Sequence, residues 1–266
     1  MPLLQKTCAE IRQQFPEVEV LALKVDVASP EEVNAGVEAA VKLGKGRLDI
    51  AVNNAAFEDY GFTTPEVTEE AFHKCMNVDL YGVWRCQKAL IIAMMKNEDL
   101  GPRRGRGTII NVSSVHGMYG PGPLDNNTAY TAAKHGKVLF QTSYVIASEL
   151  ISARCYWSHK SGWKCVWTFW NSHQCGLPGV RTPPTLQIFQ IEPFELTASS
   201  AIMTTMAKGY LEDDTDGNLL KTMSNMPMPR WGEPEEVADC ISFLASPMSS
   251  YVNSTTLLID GGFAAM

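Results

Sequence analysis

The chain has 266 residues, a hydrophobic fraction of 45% and a formal net charge of −7, which favours one large α/β domain with a sizeable core. Its acidic pI of about 5.3 argues against a nucleic-acid partner, because such proteins carry a basic stripe. The seven cysteines form no C-x-x-C pair and no metal-ligand spacing, so we expect free thiols in a reducing compartment and no metal site.

Neither a signal peptide nor a membrane span is predicted. The charged residues Lys6, Glu10 and Arg12 interrupt the N-terminal stretch, which a secretory leader would not tolerate. No uninterrupted apolar run is long enough to cross a bilayer. We therefore expect a cytoplasmic protein without a membrane partner.

Helices and short apolar strands alternate in the first part of the chain. Residues 4–14 predict an amphipathic helix, and VLALKV at 20–25 predicts a buried strand. Ser29 is placed to cap the helix that follows, with proline at its first position and Glu32 where a capping box needs it. We expect this helix to end near Gly44, before a strand over 48–52.

The same alternation continues, and the remaining predicted elements are a long helix over 68–95, a strand over 108–112, a helix bearing Tyr130 and Lys134, a helix over 234–244 and a strand over 255–260. Short apolar strands separated by helices are typical of a parallel sheet covered on both faces. In such sheets ligands bind at the carboxyl ends of the strands. Asp26, Asn54 and Ser114 all follow predicted strands, so we expect them at this edge.

The run AYTAAKHG places Tyr130 and Lys134 four residues apart, on one face of a helix. An ordinary phenol has a pKa near ~10. A lysine ammonium beside it stabilises the phenolate and lowers that pKa toward working pH. The tyrosine could then exchange a proton with an alcohol or carbonyl oxygen.

Taken in order, the motifs resemble those of the short-chain dehydrogenase/reductase family in its single-domain form. The matching segments are Asp26 after its strand, VNNAA at 52–56, Asn77 in NVDLYG, INVSS at 110–114, the pair Tyr130 and Lys134, PRWGEPEEVADCISFLAS, and LLIDGGF. The resemblance covers roughly residues 1–150 and 199–266. It implies a Rossmann-like, doubly wound parallel sheet in a single domain over 1–266.

The resemblance also implies a catalytic set. Tyr130 would be the general acid in ketone reduction and the general base in alcohol oxidation, and Lys134 would lower its pKa and bind the nicotinamide ribose. Ser114 would hold the oxygen of a small alcohol or ketone substrate. Asn77 would position a water molecule that links Lys134 to solvent.

The implied cofactor is NADP or NAD, and the residue that would choose between them lies in a part of the family pattern that the sequence lacks. The residues implied to contact the cofactor are Asp26, Asn54, Tyr130, Lys134, Ile202 and Thr204. The family commonly pairs the helix that carries the tyrosine with its twin. We therefore expect a homodimer or homotetramer.

One departure from the family concerns the beginning of the pattern. The glycine-rich turn that cradles the cofactor pyrophosphate is missing, together with the first and second strands of the sheet. The first strand would pair with the strand over 48–52, so that edge should be open. An alternative interpretation is therefore a non-catalytic, truncated remnant without effective cofactor binding.

A second departure covers residues 151–198, where four of the six tryptophans lie and no helical or strand period is visible. We interpret this atypical segment as a foreign insertion that replaces a family strand, with a substrate lid as the alternative. LQIFQI at 186–191 could still form a strand. Asn53 is expected to brace two strands and Ser113 to be a structural hydroxyl, while His116 is expected to be solvated.

Overall fold

The computed structural model describes residues 2–57, 64–120, 127–138, 185–190, 202–203, 214 and 217–265. Its first elements are α1 Pro2–Gln14, β1 Glu19–Lys24, α2 Pro30–Leu43, β2 Ile50–Asn53, α3 Glu69–Met76, a π-helical turn Asn77–Gly82 and α4 Val83–Met94. There follow β3 Thr108–Asn111, a 3-10 turn Val115–Gly117, helical residues 128–138 (α5), β4 Thr185–Gln190, α6 Asn218–Ser224, α7 Pro234–Ala245 and 3-10 turns at Pro247–Ser249 and Phe263–Ala265. Most predicted elements are confirmed within one or two residues.

The described strands form two parallel pairs. β1 pairs with β4 from Glu19 opposite Thr185 to Lys24 opposite Gln190, which confirms the strand expected near 186–191. β2 pairs with β3 from Ile50 opposite Thr108 to Asn53 opposite Asn111. β1 and β2 do not pair with each other, so one edge of each is without a strand among the residues that the structure describes. The α/β class is as predicted, while the single continuous sheet is divided here.

The strand predicted over 255–260 is wrong. The structure has no strand over residues 255–260. Leu257 and Leu258 remain 46% and 41% exposed. A strand needs hydrogen bonds from a neighbour, and β-branched or apolar composition alone does not supply them.

Ser29 caps α2 as expected, because its Oγ accepts a hydrogen bond of 3.2 Å from the backbone N–H of Glu32. The reciprocal half of the capping box is different. The Glu32 side chain accepts from the backbone N–H of Asp26 at 2.9 Å, so it ties the end of β1 to the helix start. This contact sets the path of the chain at the carboxyl end of β1.

The main core lies between α2, α4 and the strands. Its buried members are mostly aliphatic: Val25, Val27, Val33, Val37, Ala40, Leu48, Ala51, Val78, Cys86, Ala89, Leu90 and Met94. A smaller cluster joins α3 to α5 through Cys75, Ala129, Tyr130 and Ala133. The second cluster matters for function, because it holds the tyrosine helix against the long helix that includes the π-helical turn.

In the described part of the chain, no helix is both long and apolar enough to cross a membrane. The cysteines described there, Cys8, Cys75, Cys86 and Cys240, are free thiols.

Asn97 connects the end of α4 to the segments that lead into β2 and β3. It is buried, and its Nδ2 donates to the carbonyl oxygens of Leu48 at 2.7 Å and Arg106 at 2.6 Å. Asn97→Ala removes both hydrogen bonds and leaves two carbonyl groups without their donor. We expect the free energy of unfolding to fall by about 2 kcal/mol, measured by urea denaturation. Asn34→Ala, at an exposed position of α2, is the matched control, and equal losses in both variants would contradict the bridging role of Asn97.

Candidate active site

Tyr130 and Lys134 meet on one face of α5. The Lys134 Nζ lies 4.8 Å from the centroid of the Tyr130 ring, and both side chains are almost completely buried, at 1% and 0% exposure. An ammonium this close to a phenol is attracted to the ring and favours the phenolate electrostatically. The structure therefore brings together the two residues of the Y-x-x-x-K spacing.

The loop after β3 lies directly against these two residues. Ser113 Oγ donates a hydrogen bond of 3.3 Å to the backbone oxygen of Lys134. The His116 ring packs edge-on against the Tyr130 ring, with centroids 5.9 Å apart. Ser114 lies between Ser113 and His116 in the chain, so the loop that carries it packs against the helix that bears Tyr130 and Lys134.

A glycine allows this close approach. A Cβ added to Gly117 would lie 2.8 Å from the Lys134 backbone oxygen and 2.8 Å from Ser113 Oγ. The Lys134 oxygen belongs to the helix backbone and cannot rotate away, so a larger residue at position 117 would force the loop away from α5. Ser114 itself begins the 3-10 turn, where its Oγ accepts from the His116 backbone N–H at 3.3 Å. This contact uses the oxygen as an acceptor, and the hydroxyl proton can still be donated to another group.

Lys134 forms an ion pair that the sequence did not predict. Its Nζ lies 2.7 Å from Asp79 Oδ1, and both side chains are 0% exposed. Asp79 Oδ2 accepts a hydrogen bond of 2.7 Å from the Phe57 backbone N–H. Burial alone would lower the pKa of Lys134, but the Asp79 carboxylate, with a smaller contribution from Tyr130, outweighs burial and raises that pKa.

The side chain of Asn77 contacts Arg85 of α4, and its role in positioning a water molecule stays a prediction. Its Oδ1 accepts from Arg85 Nη2 at 2.8 Å, and its backbone oxygen accepts from Arg85 Nη1 at 3.2 Å. Asn77 is thus engaged with α4, while the buried side chain beside Lys134 is that of Asp79, two residues later. Residues two apart on a helix point in nearly opposite directions. Their position in a π-helical turn, a feature often found at functional sites, could not be read from the sequence.

Asp26 follows β1, and Asn53 and Asn54 lie at the end of β2, so all three are at the carboxyl ends of their strands, where the sequence predicts the cofactor. Asp26 is exposed, and its Oδ1 accepts from the Ala28 backbone N–H at 2.8 Å. Asn53 Nδ2 donates to Asn111 Oδ1 at 2.8 Å, a side-chain brace between β2 and β3. Asn54 Oδ1 is buried without a hydrogen-bond partner among the atoms described.

The C-terminal residues of the predicted cofactor set are only partly described. Ile202 is 3% exposed and forms a parallel bridge with Gly232, and the Met203 backbone N–H donates to the Gly232 oxygen at 2.9 Å. Thr204 lies outside the described residues, as do residues 139–150 of the predicted oligomer-forming helix. Their assigned roles stay predictions.

Three buried or packed residues of the site were not singled out correctly from the sequence: Asp79, His116 and Lys137. For Asp79 a signal existed. Cys75, Val83, Cys86 and Leu90 line the buried face of the long helix, and Asp79 falls on that same face at helical spacing. An acidic residue on an apolar face is rarely buried unless it is paired.

The site fits a nicotinamide dinucleotide. The unpartnered Asn54 Oδ1 is an acceptor for a hydroxyl or amino group of a nucleoside, and an unpaired buried oxygen of this kind is costly until it is bonded. Lys134 is held as a cation, which suits the ribose hydroxyls and developing negative charge near Tyr130. Asp26 adds an exposed acceptor at the carboxyl end of β1.

Comparisons with known proteins identify the family of the chain. Residues 2–151 match the family model "short chain dehydrogenase", and residues 196–264 match "Enoyl-(Acyl carrier protein) reductase". The chain is 27% identical to levodione reductase of Leifsonia aquatica, covering 98% of this chain and 81% of that protein. It is 28% identical to a 3-oxoacyl-[acyl-carrier-protein] reductase of Vibrio cholerae, covering 90% of this chain and 76% of that one.

A crystal structure of levodione reductase is similar over 99% of this chain, with a TM-score of 0.69 and 26% identity. A gluconate 5-dehydrogenase from Burkholderia cenocepacia, solved with NADP and tartrate, has a TM-score of 0.60 and 22% identity over 91% of this chain. The family match over more than half of the chain, together with these relatives, shows that the chain belongs to the short-chain dehydrogenase/reductase family, whose members are oxidoreductases with a Rossmann-like α/β fold that use NAD or NADP.

Proposed function

We propose that the chain interconverts a secondary alcohol and a ketone with NADP or NAD, using Ser114, Tyr130 and Lys134. The observation that carries this proposal is the contact between Lys134 Nζ and the Tyr130 ring, at 4.8 Å, beneath the Ser114 loop. When bound, the nicotinamide supplies or accepts the hydride. Small-molecule substrates suit a site of this kind, in which two polar side chains, Tyr130 and Lys134, are almost completely buried.

Tyr130 holds and moves the proton at its Oη. In ketone reduction it gives this proton to the oxygen that gains negative charge, and in alcohol oxidation it removes the hydroxyl proton. Lys134 stabilises the phenolate that remains. Because Lys134 is completely buried, its charge acts on the phenolate through a medium of lower dielectric than water, which strengthens the effect.

Ser114 orients the substrate oxygen. Its hydroxyl can donate to that oxygen while Oγ keeps its contact with the His116 backbone N–H, so the substrate would be held between the serine and the tyrosine. Fixing the oxygen at hydrogen-bond distance from both groups contributes to rate through orientation and charge stabilisation. We propose that Lys134, Asn54 and Asp26, with Ile202 and Thr204, hold the cofactor.

The test is a cofactor titration followed by turnover. Purified protein is titrated with NADPH and with NADH while nicotinamide fluorescence is followed, and levodione and a 3-oxoacyl thioester are then offered as probe ketones. We expect saturable binding of at least one cofactor and ketone-dependent oxidation of it. Saturable binding without oxidation by either probe directs the search to other ketones. Absence of binding to both cofactors would contradict the proposal and favour the non-catalytic alternative.

A further inference from the structure

Asp79 connects three elements around the candidate active site. It lies in the π-helical turn Asn77–Gly82, and its Oδ1 is 2.7 Å from Lys134 Nζ on α5. Its Oδ2 accepts from the Phe57 backbone N–H at 2.7 Å, in the loop that follows β2 and Asn54. The two oxygens of one carboxylate thus join the tyrosine helix to the loop at the predicted cofactor edge.

Few ionisable groups face Lys134, and their effects on its protonation differ. The Tyr130 hydroxyl of α5 and the Cys75 thiol of α3 favour the ammonium form of Lys134. A charge on Lys137, a second fully buried amine of α5, would oppose it, because the two lysines repel each other when both are charged. Burial also disfavours the ammonium, because a charge loses its hydration there. Among the described groups that face Lys134, Asp79 supplies the carboxylate that offsets both effects.

We propose that Asp79 is a positioning residue of the active site, whose buried carboxylate keeps Lys134 charged and aimed beside Tyr130. Its catalytic meaning rests on the proposed function. The contact between Asp79 and Lys134, and its effect on the protonation of Lys134, do not depend on the proposed function. A neutral side chain at position 79 would leave two buried lysines, Lys134 and Lys137, on adjacent turns of α5 without a counter-ion.

The consequence for catalysis has a definite direction. Without the Asp79 charge, Lys134 would lose its proton at a lower pH, and a neutral amine does not stabilise a phenolate. Asp79→Asn, written D79N, keeps the shape of the side chain and can still accept the Phe57 N–H hydrogen bond. Above the pKa of Lys134 in D79N, we expect ketone reduction to fall by about tenfold for each pH unit, over a range where the wild type does not lose activity for this reason.

Stability gives a second readout that does not depend on turnover. In the wild type the pKa of Lys134 is raised above its unfolded value, so its contribution is complete below about pH 10 and is lost only as the pH rises through the folded pKa. In D79N the folded pKa of Lys134 falls below the unfolded one. The unfolded state then binds more protons, and stability increases with pH in that window.

The experiment measures the urea midpoint of wild type and D79N between about pH 7 and pH 10. We expect D79N to be least stable at the low end and to approach the wild type as the pH rises, beyond any slope the two proteins share. Asp239→Asn, which neutralises an exposed carboxylate of α7, is the control and should run parallel to the wild type. Parallel curves for D79N would overturn the proposal.

Two further outcomes are decisive. If D79N is recovered only unfolded, a double variant that also carries Lys134→Met should fold, because the uncompensated buried charge is then removed. Failure of this double variant to fold would also overturn the proposal. If the wild type proves to have no turnover, the proposed function fails, while the pH dependence of the D79N midpoint still decides the role of Asp79.

Discussion

Tyr130→Phe is expected to lower kcat for ketone reduction by about 10²–10⁴-fold, the usual contribution of a positioned general acid. The substitution removes the hydroxyl and keeps the ring. The ring makes the contacts that hold it in place, edge-on against His116 with centroids 5.9 Å apart and beneath Lys134 Nζ at 4.8 Å. The fold and the position of Lys134 should therefore be preserved while the proton donor is lost.

The measurement is steady-state reduction of the probe ketone found active with the wild type, together with a nicotinamide fluorescence titration of each variant. Cofactor affinity should change little, because Lys134 and Asn54 remain. Tyr251→Phe is the matched control, since Tyr251 is fully exposed, at 102% of its reference area. Wild-type turnover in Tyr130→Phe would remove the tyrosine from the proton-transfer step and leave the fold and family assignment untouched.

Local signals in the sequence predicted local structure well. Ser29 followed by Pro30 marked the start of α2, and the Ser29 Oγ does cap it, because a cap depends on residues only three positions apart. The four-residue spacing of Tyr130 and Lys134 likewise predicted a shared face, which the structure has. These features need no information about distant parts of the chain.

Features that depend on a distant partner were predicted less well, even where the sequence contained a partial signal. Residues 255–260 have strand composition, yet they form no strand here, since pairing is decided by a neighbour. Asn77 and Asp79 are both polar residues in one helical stretch, and only their placement in the π-helical turn decides that Asp79 reaches Lys134 while Asn77 contacts Arg85. The position of a helical side chain relative to another element is a tertiary property.

Nothing in the sequence indicated that Lys137 is buried. In the structure its amine lies in the core, where a charge is costly. It follows Lys134 by nearly one turn of α5 and is 0% exposed. Its Nζ lies 3.5 Å from the Asn53 backbone oxygen, at the outer limit for a hydrogen bond. Burial lowers the pKa of Lys137 well below its usual value, and the Lys134 charge lowers it further.

Neighbouring groups do not compensate for this cost. The Asp79 carboxylate favours the charged form of Lys137 but is already paired with Lys134. The Cys86 thiol also faces Lys137, yet burial raises the pKa of Cys86 to about 12 despite that amine. Cys86 therefore remains a neutral thiol at physiological pH, and Lys137 has a poorly compensated amine inside the core.

We expect Lys137→Met to raise the free energy of unfolding by about 1–3 kcal/mol near neutral pH, the range for a buried polar group without adequate hydrogen bonds. Met has a similar length and fills the space with apolar atoms. The direction in which stability changes with pH follows from the pKa of Lys137. Because the folded pKa of Lys137 lies below the unfolded one, the unfolded chain binds more protons, and wild-type stability rises with pH up to about 10. Lys137→Met should remove this rise.

Urea denaturation of wild type and Lys137→Met at several pH values tests both parts. The two proteins should differ most at the low end of the range and converge toward the unfolded lysine pKa, because a neutral amine costs less to bury than an ammonium. Lys42→Met, at an exposed position of α2, should change neither the stability nor its slope. A Lys137→Met protein that is less stable than the wild type at every pH, with the slope unchanged, would show that the amine is stabilising and that the core around α5 depends on its charge.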